Sequence, residues 1–580
     1  MIIISKKIAK LLTVDQKKKI PVVFMLMVFS AVLETMSISM LVPMVSIIVN
    51  IDTVIKSNLY RSLANFFQWD SPRIFVGLFF FFIAVLFIVK NVFLYFQISY
   101  QAQFASQVRQ NIQNKLYIDC IRKPYEFYLN TNTGNILRNI YVDSMGVYNS
   151  LLSLMNVLME GVISFALVSA VIVINPLISF ICILIIVVIA VLIYVFVKPQ
   201  MQSVGKTYSN ISGDINQWIL QSTDNIKEIK VMQRESFFVN NFKNKSREYN
   251  EASCKQQVIS SIPRLFIEAG VLSGVIMMLG ISYANGNNLS NIIPQLSAFA
   301  VAMIRLLPSV NRLNTALNTV LFNEASIDHV IEAFCYITEK NNHNLTEKTD
   351  KTLVELTRLS KGIYIKNVSY QYPDSDKKVF DNISLEIEKG QTIGLIGESG
   401  AGKTTFVNLI LGLLDSPEGD ILWDDIKINH ETTSFHLNIG YIPQQISLLD
   451  DTIKANIVFG AEEENEKHIR NAIVQSQLEH FIKSLPDGIM TQVGDRGVRL
   501  SGGQRQRIGI ARALYKNPDF LVLDVKYSIV LIVYGVYRVR EKLKIGTTYT
   551  NRKKNVYDVT WKRIRKILKS GIGSGSFFIP

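Results

Sequence analysis

Residues Gly397-Glu398-Ser399-Gly400-Ala401-Gly402-Lys403-Thr404 carry the spacing G-x-x-x-x-G-K-[ST]. They lie between a strand-like run, QTIGLI, and an apolar helix-like run, TFVNLILGLL. The glycines allow a tight loop whose backbone N–H groups can close around phosphates. Lys403 is placed to reach the terminal phosphates, and the Thr404 hydroxyl can ligate Mg²⁺. A plain glycine turn between strand and helix would need neither residue at those offsets. A second group fits the same chemistry. FLVL (520–523) reads as a buried parallel strand and ends in Asp524. A carboxylate at that strand end can hold Mg²⁺ across from the loop. Alone it is a weak signal, and paired with the loop it is a strong one. The next residue is Val525, which cannot accept a proton.

The elements that must position these residues begin at GIYIKNVSYQYP (362–373), an alternating strand. Before it, TEKNNHNLTEKTDKT (338–352) is polar and aperiodic and reads as part of a linker. The N-terminal half has a different character. The chain is 49% hydrophobic with mean hydropathy +0.23, too apolar for an ordinary soluble protein. Apolar runs near 21–49, 74–98, 150–174, 176–197, 262–285 and 291–312 reach the ~20 residues needed to cross a bilayer. Long polar segments near 99–149 and 198–261 alternate with short links. The second carries nine Lys and Arg, and the N-terminus carries Lys6, Lys7, Lys10, Lys17, Lys18 and Lys19. Positive residues favour the cytoplasmic side, so both long segments and both ends are expected there.

QAQFASQVRQNIQNKLYIDCIRK (101–123) has helical spacing without Gly or Pro, so the membrane helices are expected to continue into the cytoplasm. NTNTGNI (130–136) and QSTDNIKEI (221–229) read as turn-rich tips. Glu34, Lys90, Glu160, Glu268 and Arg305 fall inside the apolar runs, where burying a charge is costly. For Glu34 and Arg305 a place in a polar cavity competes with a purely structural one. An intramembrane charge is by default a functional candidate, and for Lys90 and Glu268 the plain alternative is a wet residue near a helix end.

Composition excludes several classes. The four cysteines form no C-x-x-C pair, which argues against a disulfide scaffold or a zinc site. No small-residue cleavage site follows the first apolar run, so no removable signal peptide is expected. The formal charge of +14 is concentrated: residues 525–580 hold 13 of 61 Lys and Arg but 2 of 47 Asp and Glu. The body is nearly neutral, and nucleic-acid binding is not expected.

LSGGQRQRIGIARAL (500–514) resembles the signature of ATP-binding cassette transporters. The resemblance implies an α-helical, six-span membrane domain of the exporter type, followed by an α/β P-loop NTPase domain. It implies that Ser501, Gly502, Gly503 and Gln504 of one chain cap an ATP held by the partner's phosphate loop. It assigns Tyr372 of YQYP to stacking on adenine and Gly397–Thr404, with Thr405, to the phosphates. Gln444 of GYIPQQ corresponds to the glutamine that senses Mg²⁺, so Thr404, Gln444 and Asp524 are the implied metal ligands. GDRG (494–497) lies where family members contact the cytoplasmic tips. The implied partners are a second copy or another half-transporter, the lipid bilayer and an amphipathic, glycolipid-like cargo. The implied place is a bacterial inner membrane, with the nucleotide-binding domain in the cytoplasm. VLETMSISMLVPMVSI (32–47) and FAVAMIRLLPSVNRLNTALN (299–318) look like polysaccharide and lipid-linked oligosaccharide flippases; peptide, bacteriocin or lipid exporters stay open.

The resemblance covers residues 1–524 and stops there. A glutamate that polarises the attacking water is implied at the place of Val525. The SALD-like loop after it is absent, and the last histidine is His480. One event, a frameshift or a rearranged 3′ end, explains the joint loss better than separate substitutions. An evolved, hydrolysis-deficient subunit is the alternative. The expected organisation is therefore a membrane domain over 1–325, a linker over 326–360, a nucleotide-binding domain over 361–524 and an aberrant basic tail over 525–580.

Overall fold

The computed structural model describes residues 2–40, 72–174, 176–284, 307–345, 359–373, 375–396, 398, 400–428, 439–461, 463–525 and 529–534. Arg305, Gly397, Ser399, residues 41–49 and 291–306 of the first and sixth apolar runs, and residues 535–580 of the tail lie outside the described residues. The chain divides into two compact units. One comprises Met1–Lys123 and Thr131–Thr346; the other comprises Pro124–Asn130 and Glu347–Pro580.

The first unit is helical. After α1 (Ile2–Leu11) and α2 (Val14–Ser39) comes α3, Pro72–Arg122, a single helix of 51 residues. Pro124 ends it, because a proline drives the preceding residue out of the helical region. The short α4 (Tyr125–Asn130) and α5 (Thr133–Leu137) follow, then a π-turn over Arg138–Asp143 and α6 (Ser144–Ile174). Helix α7 (Pro176–Asp224) and α9 (Glu235–Ala284) form a long pair, joined by α8 (Ile226–Val231). Residues 307–322 form α10, and α11 spans Glu324–Leu345. Helix α11 overlaps the expected linker of 326–360. Ile327 and Val330 are buried against α1 and α6, and Lys7 of α1 pairs with Glu324 and Asp328.

Large apolar side chains on α3 and α6 point away from protein: Phe81, Ile88, Val92 and Phe165 are all exposed. Such a surface suits contact with hydrocarbon or with another apolar helix. Among the described residues three helices are long and apolar enough to cross a membrane, within Val14–Ser37, Val76–Arg122 and Thr133–Ala166.

Several buried charges within this unit are paired. Lys90 is buried on α3, 3.9 Å from the buried Glu34 on α2. This corrects the reading of Lys90 as wet: it lies mid-helix, and a carboxylate on the neighbouring helix compensates its burial. Glu160 on α6 is buried and meets Arg312 at 2.5 Å and the Ser309 hydroxyl at 2.5 Å, both on α10. Glu268 is exposed, as expected, facing Arg264.

A second polar cluster ties the π-turn to α7 and α11. Asp143 is fully buried; it accepts from Arg138 Nε at 3.1 Å and from Ser209 Oγ at 2.9 Å, with His329 Nδ1 at 3.2 Å. Asp143→Ala would leave the buried guanidinium of Arg138 without its carboxylate, a loss of about 3–5 kcal/mol. Thermal unfolding of the detergent-purified chain should then begin several degrees lower. An unchanged midpoint would show that water replaces the carboxylate.

The second unit holds two sheets. The first has the order β2-β1-β4-β5 and is antiparallel, from β1 (Gly362–Gln371), β2 (Lys378–Glu388), β4 (Glu418–Trp423) and β5 (Ile426–Lys427). The second has the order β3-β8-β7-β6, from β3 (Thr392–Ile396), β6 (Ile439–Ile442), β7 (Phe520–Val525) and β8 (Ile529–Tyr534). Strands β6 and β7 are parallel, and β8 runs antiparallel to both β7 and β3. Strand β8 lies beyond Asp524, where the sequence places an aberrant tail. One core joins both sheets to α12 (Lys403–Ile410) through Ile363, Leu395, Phe406, Val407, Trp423 and Phe520. A separate helical core joins α13 (Ile453–Val458), α14 (Glu466–Gln475) and α15 (Gly502–Tyr515) through Ile453, Ile457, Ile469, Ile508 and Ala511.

Candidate functional site

Strand β3 leads into the glycine loop, and the loop leads into α12. Gly400 has φ +90° and Gly402 has φ +81°, a backbone region that side-chain-bearing residues rarely adopt. At Gly402 there is also no room: a Cβ would sit 2.7 Å from Val379 Cγ1 and 2.8 Å from Phe380 Cζ. Gly402 caps the start of α12, so the free N–H groups of that helix open toward the loop. Lys403 turns back over the loop and donates to the Glu398 carbonyl at 2.5 Å. Thr404 is exposed, which leaves its hydroxyl open to a ligand, whereas Thr405 is buried. Ala401 closes a turn by donating its N–H to the Glu398 carbonyl at 3.2 Å. The Tyr372 hydroxyl lies 3.0 Å from Thr405 Oγ1, which ties the end of β1 to the loop helix.

Asp524 stands on β7. Burial pushes its carboxyl above the usual aspartate range, and the positive charge of Lys403 opposes that shift. Burial raises the Tyr441 hydroxyl, and the charge of Asp524 raises it further. Parallel pairing sets Ile442 opposite Leu523. Gln444, two residues past β6, and Asp524 thus lie at the same end of the sheet, and Gln444 is exposed. This fits a phosphate-and-cation site: an ammonium, an open hydroxyl, a carboxylate and free helix N–H groups converge at the C-terminal ends of parallel strands, where open α/β sheets take their ligands.

Ser501, Gly502, Gly503 and Gln504 belong to the helical core instead. Ser501 caps α15: its hydroxyl accepts from the Gln504 N–H at 3.3 Å, and Gln504 Oε1 accepts from the Ser501 N–H at 2.8 Å. Gly502 and Gly503 are exposed, with nothing within 4 Å of an added Cβ, so the helix N-terminus is bare. Arg512 near the end of α15 donates to the Ser447 carbonyl at 2.9 Å and the Asn456 carbonyl at 2.9 Å, which fixes α15 to the loop that follows Gln444.

Residues 12–306 match the family described as ABC transporter transmembrane region, and residues 380–525 match ABC transporter. The chain belongs to the ABC transporter family. Among similar proteins is the "ATP-dependent lipid A-core flippase" of Bordetella avium (strain 197N), 26% identical over 461 residues, covering 79% of this chain and 75% of that one. The flippase of the same name from Syntrophus aciditrophicus (strain SB) is 28% identical over 448 residues, 76% of this chain and 72% of its own. A "Probable multidrug resistance ABC transporter ATP-binding/permease protein YheI" of Bacillus subtilis (strain 168) is 30% identical over 352 residues, 59% of this chain and 57% of its own. The solved structure of a bacterial Atm1-family ABC exporter with ATP bound has a TM-score of 0.68 at 19% identity, with 96% of this chain and 88% of that chain covered, which is a likeness of fold.

In this ABC transporter NTNTGNI (130–136) contains a helix break, at residues 131 and 132, and packs against α7. From residue 131 on it belongs to the membrane unit: Asn132 Nδ2 donates to Gln217 Oε1 at 2.6 Å, and a Cβ on Gly134 would lie 2.7 Å from the Gly213 carbonyl oxygen of α7. The segment that clusters with the nucleotide unit is Pro124–Asn130, where the Tyr370 hydroxyl donates to Glu126 at 3.4 Å. The asparagines and glycine serve a helix cap and a close helix crossing. The second tip, QSTDNIKEI, also lies at a helix break, with Ile226 and Val231 exposed on α8.

Proposed function

We propose that the chain is one half of an ATP-driven membrane translocator that exports or flips an amphipathic substrate, a lipid-linked oligosaccharide or polysaccharide precursor. What carries the reading is the convergence of Lys403, Thr404 and Asp524 in a chain whose other unit is an apolar helical membrane domain. The names of the similar flippases support a lipid-linked cargo, and peptide or lipid cargo is the alternative. Tyr372 is the adenine platform; the backbone of Gly397–Gly402, with Lys403, Thr404 and Thr405, takes the phosphates. Thr404, Gln444 and Asp524 would hold Mg²⁺, which when bound neutralises phosphate charge. The bare N-terminus of α15, Ser501–Gln504, is the surface that caps a nucleotide on the partner, so two chains are needed. The partner is a second copy or another half-transporter. The place proposed is a bacterial inner membrane.

A second reading has its own observation. Val525 follows Asp524, and β8 runs antiparallel to β7, so the end of β8, Val533, pairs with Thr392, at the far end of β3 from the loop. In this reading the chain binds ATP and completes a partner's site but hydrolyses slowly itself. Purified chain in vesicles, supplied with a fluorescent lipid-linked oligosaccharide and ATP, tests the transport reading. Movement of the label that stops with Lys403→Ala supports it; none in the presence of measurable ATP binding favours the second reading.

Orientation has a separate check. A cysteine replacing Lys227 on α8 should resist an impermeant thiol reagent in intact cells, and one replacing Asn288 should react. The opposite pattern would invert the topology.

A further inference from the structure

Strand β8 occupies the middle of the second sheet. Its residues Ile529 to Val533 pair with Ile396 to Thr392 of β3, and Ile529 to Tyr534 pair with Val525 to Phe520 of β7. Among the described residues β3 has no other strand neighbour. Strand β3 delivers the glycine loop and Lys403, and β7 delivers Asp524. Among the described residues, every ladder hydrogen bond that links the two halves of the site therefore passes through β8. The run IVLIVY (529–534) suits this place, being almost wholly β-branched or aliphatic, as a strand with neighbours on both sides requires.

We infer that β8, drawn from the segment beyond the family match, is the positioning element of the ATP and Mg²⁺ site: it sets the separation between the Lys403 loop and Asp524. This rests on the reading of that site given above. Neighbouring strands lie about 4.8 Å apart, so β8 holds β3 and β7 about 10 Å apart. Were β8 to leave and the gap to close, Asp524 would shift by about 5 Å relative to the loop. Mg²⁺ tolerates little error around its ligand distance of about 2.1 Å, so that shift would remove Asp524 from the coordination sphere. A segment beyond the family match, which ends at residue 525, thereby becomes part of the site's construction.

The test uses the full chain carrying Val530→Pro or Leu531→Pro. Adjacent residues in a strand send their N–H groups to opposite neighbours, so one variant cuts a bond toward β3 and the other a bond toward β7. Affinity for a non-hydrolysable ATP analogue is measured with Mg²⁺ and with a chelator. Both variants, like Asp524→Asn, should lose most of the Mg²⁺-dependent gain, on the order of 10-fold or more, while metal-free binding changes far less. A merely structural role would lower both affinities together, and that result, or an unchanged Mg²⁺ gain, overturns the inference. Should the proline variants fail to fold, a chain with its four cysteines replaced by serine and carrying Thr392→Cys and Val533→Cys decides. These positions are register partners, within the reach of a disulfide. A cross-link that forms with the Mg²⁺ gain intact supports β8 in the slot; no cross-link overturns it. If the unaltered chain shows no nucleotide binding that Lys403→Ala abolishes, the site reading itself fails and takes the inference with it.

Discussion

Exchange of residues 525–580 for the C-terminal segment of an intact family member should raise phosphate release by ~100-fold or more, the usual worth of a positioned general base. Val525→Glu alone should restore little. The SALD-like loop and the later histidine would still be missing, and β8 carries the chain away from the loop toward Thr392. A glutamate at 525 would thus stand without the groups that the family places around it. The unmodified chain should bind ATP and turn it over slowly, measured as phosphate released per chain in detergent and in vesicles. If it matches its intact relatives, and Asp524→Asn abolishes that activity, a group in the tail serves as base and this account of Val525 is wrong.

Nucleotide binding should collapse in two variants with different causes. Lys403→Ala removes the ammonium that faces the terminal phosphates; a charge-assisted hydrogen bond is worth about 1.5–3 kcal/mol, so affinity should fall roughly 10- to 100-fold. Gly402→Val fails through the backbone. It asks a β-branched residue to adopt φ +81° while its Cβ presses on Val379 and Phe380. The loop must then rearrange, and ATP-analogue labelling should drop below detection while the α15 core stays folded. Labelling unchanged in Lys403→Ala would remove the phosphate-loop assignment.

What sequence made legible was what depends on short spacings. The glycine loop, the strand ending in Asp524 and the capped helix after Leu500 each consist of neighbours along the chain, so their chemistry survives without a fold. The apolar spans were legible for a related reason, since a bilayer imposes length and composition locally. Most of the failures involve partners distant in sequence. Lys90 looked wet because its counter-ion, Glu34, sits on another helix. Asp143 gave no signal, because Arg138, Ser209 and His329 converge on it only after α7 and α11 pack. Asn130–Ile136 looked like a tip because Asn and Gly mark turns, yet they also mark caps and close crossings, and only the opposing Gly213 decides between the two. The polar stretch before the nucleotide unit was read as linker, but Ile327 and Val330 anchor its start as helix. Strand β8 was hidden for another reason: it lies beyond the family match, which ends at residue 525, although its β-branched run satisfies the sheet on physical grounds alone.

Helix α3, 51 residues without an internal proline, is about 76 Å long. The hydrocarbon layer takes up about 30 Å of it, so some 45 Å projects as a rigid arm. A tilt of about 5° at the membrane displaces the far end of such an arm by about 4 Å. The gearing also runs in reverse: a few ångströms of travel at Arg122 becomes only a slight rotation in the bilayer, delivered at higher force. The long pair α7 and α9 is more compliant, since Pro199 and Pro263 each remove an internal hydrogen bond and offer a place to flex. Stiffness is thus unevenly shared, with α3 as the strut and the α7–α9 pair as the spring.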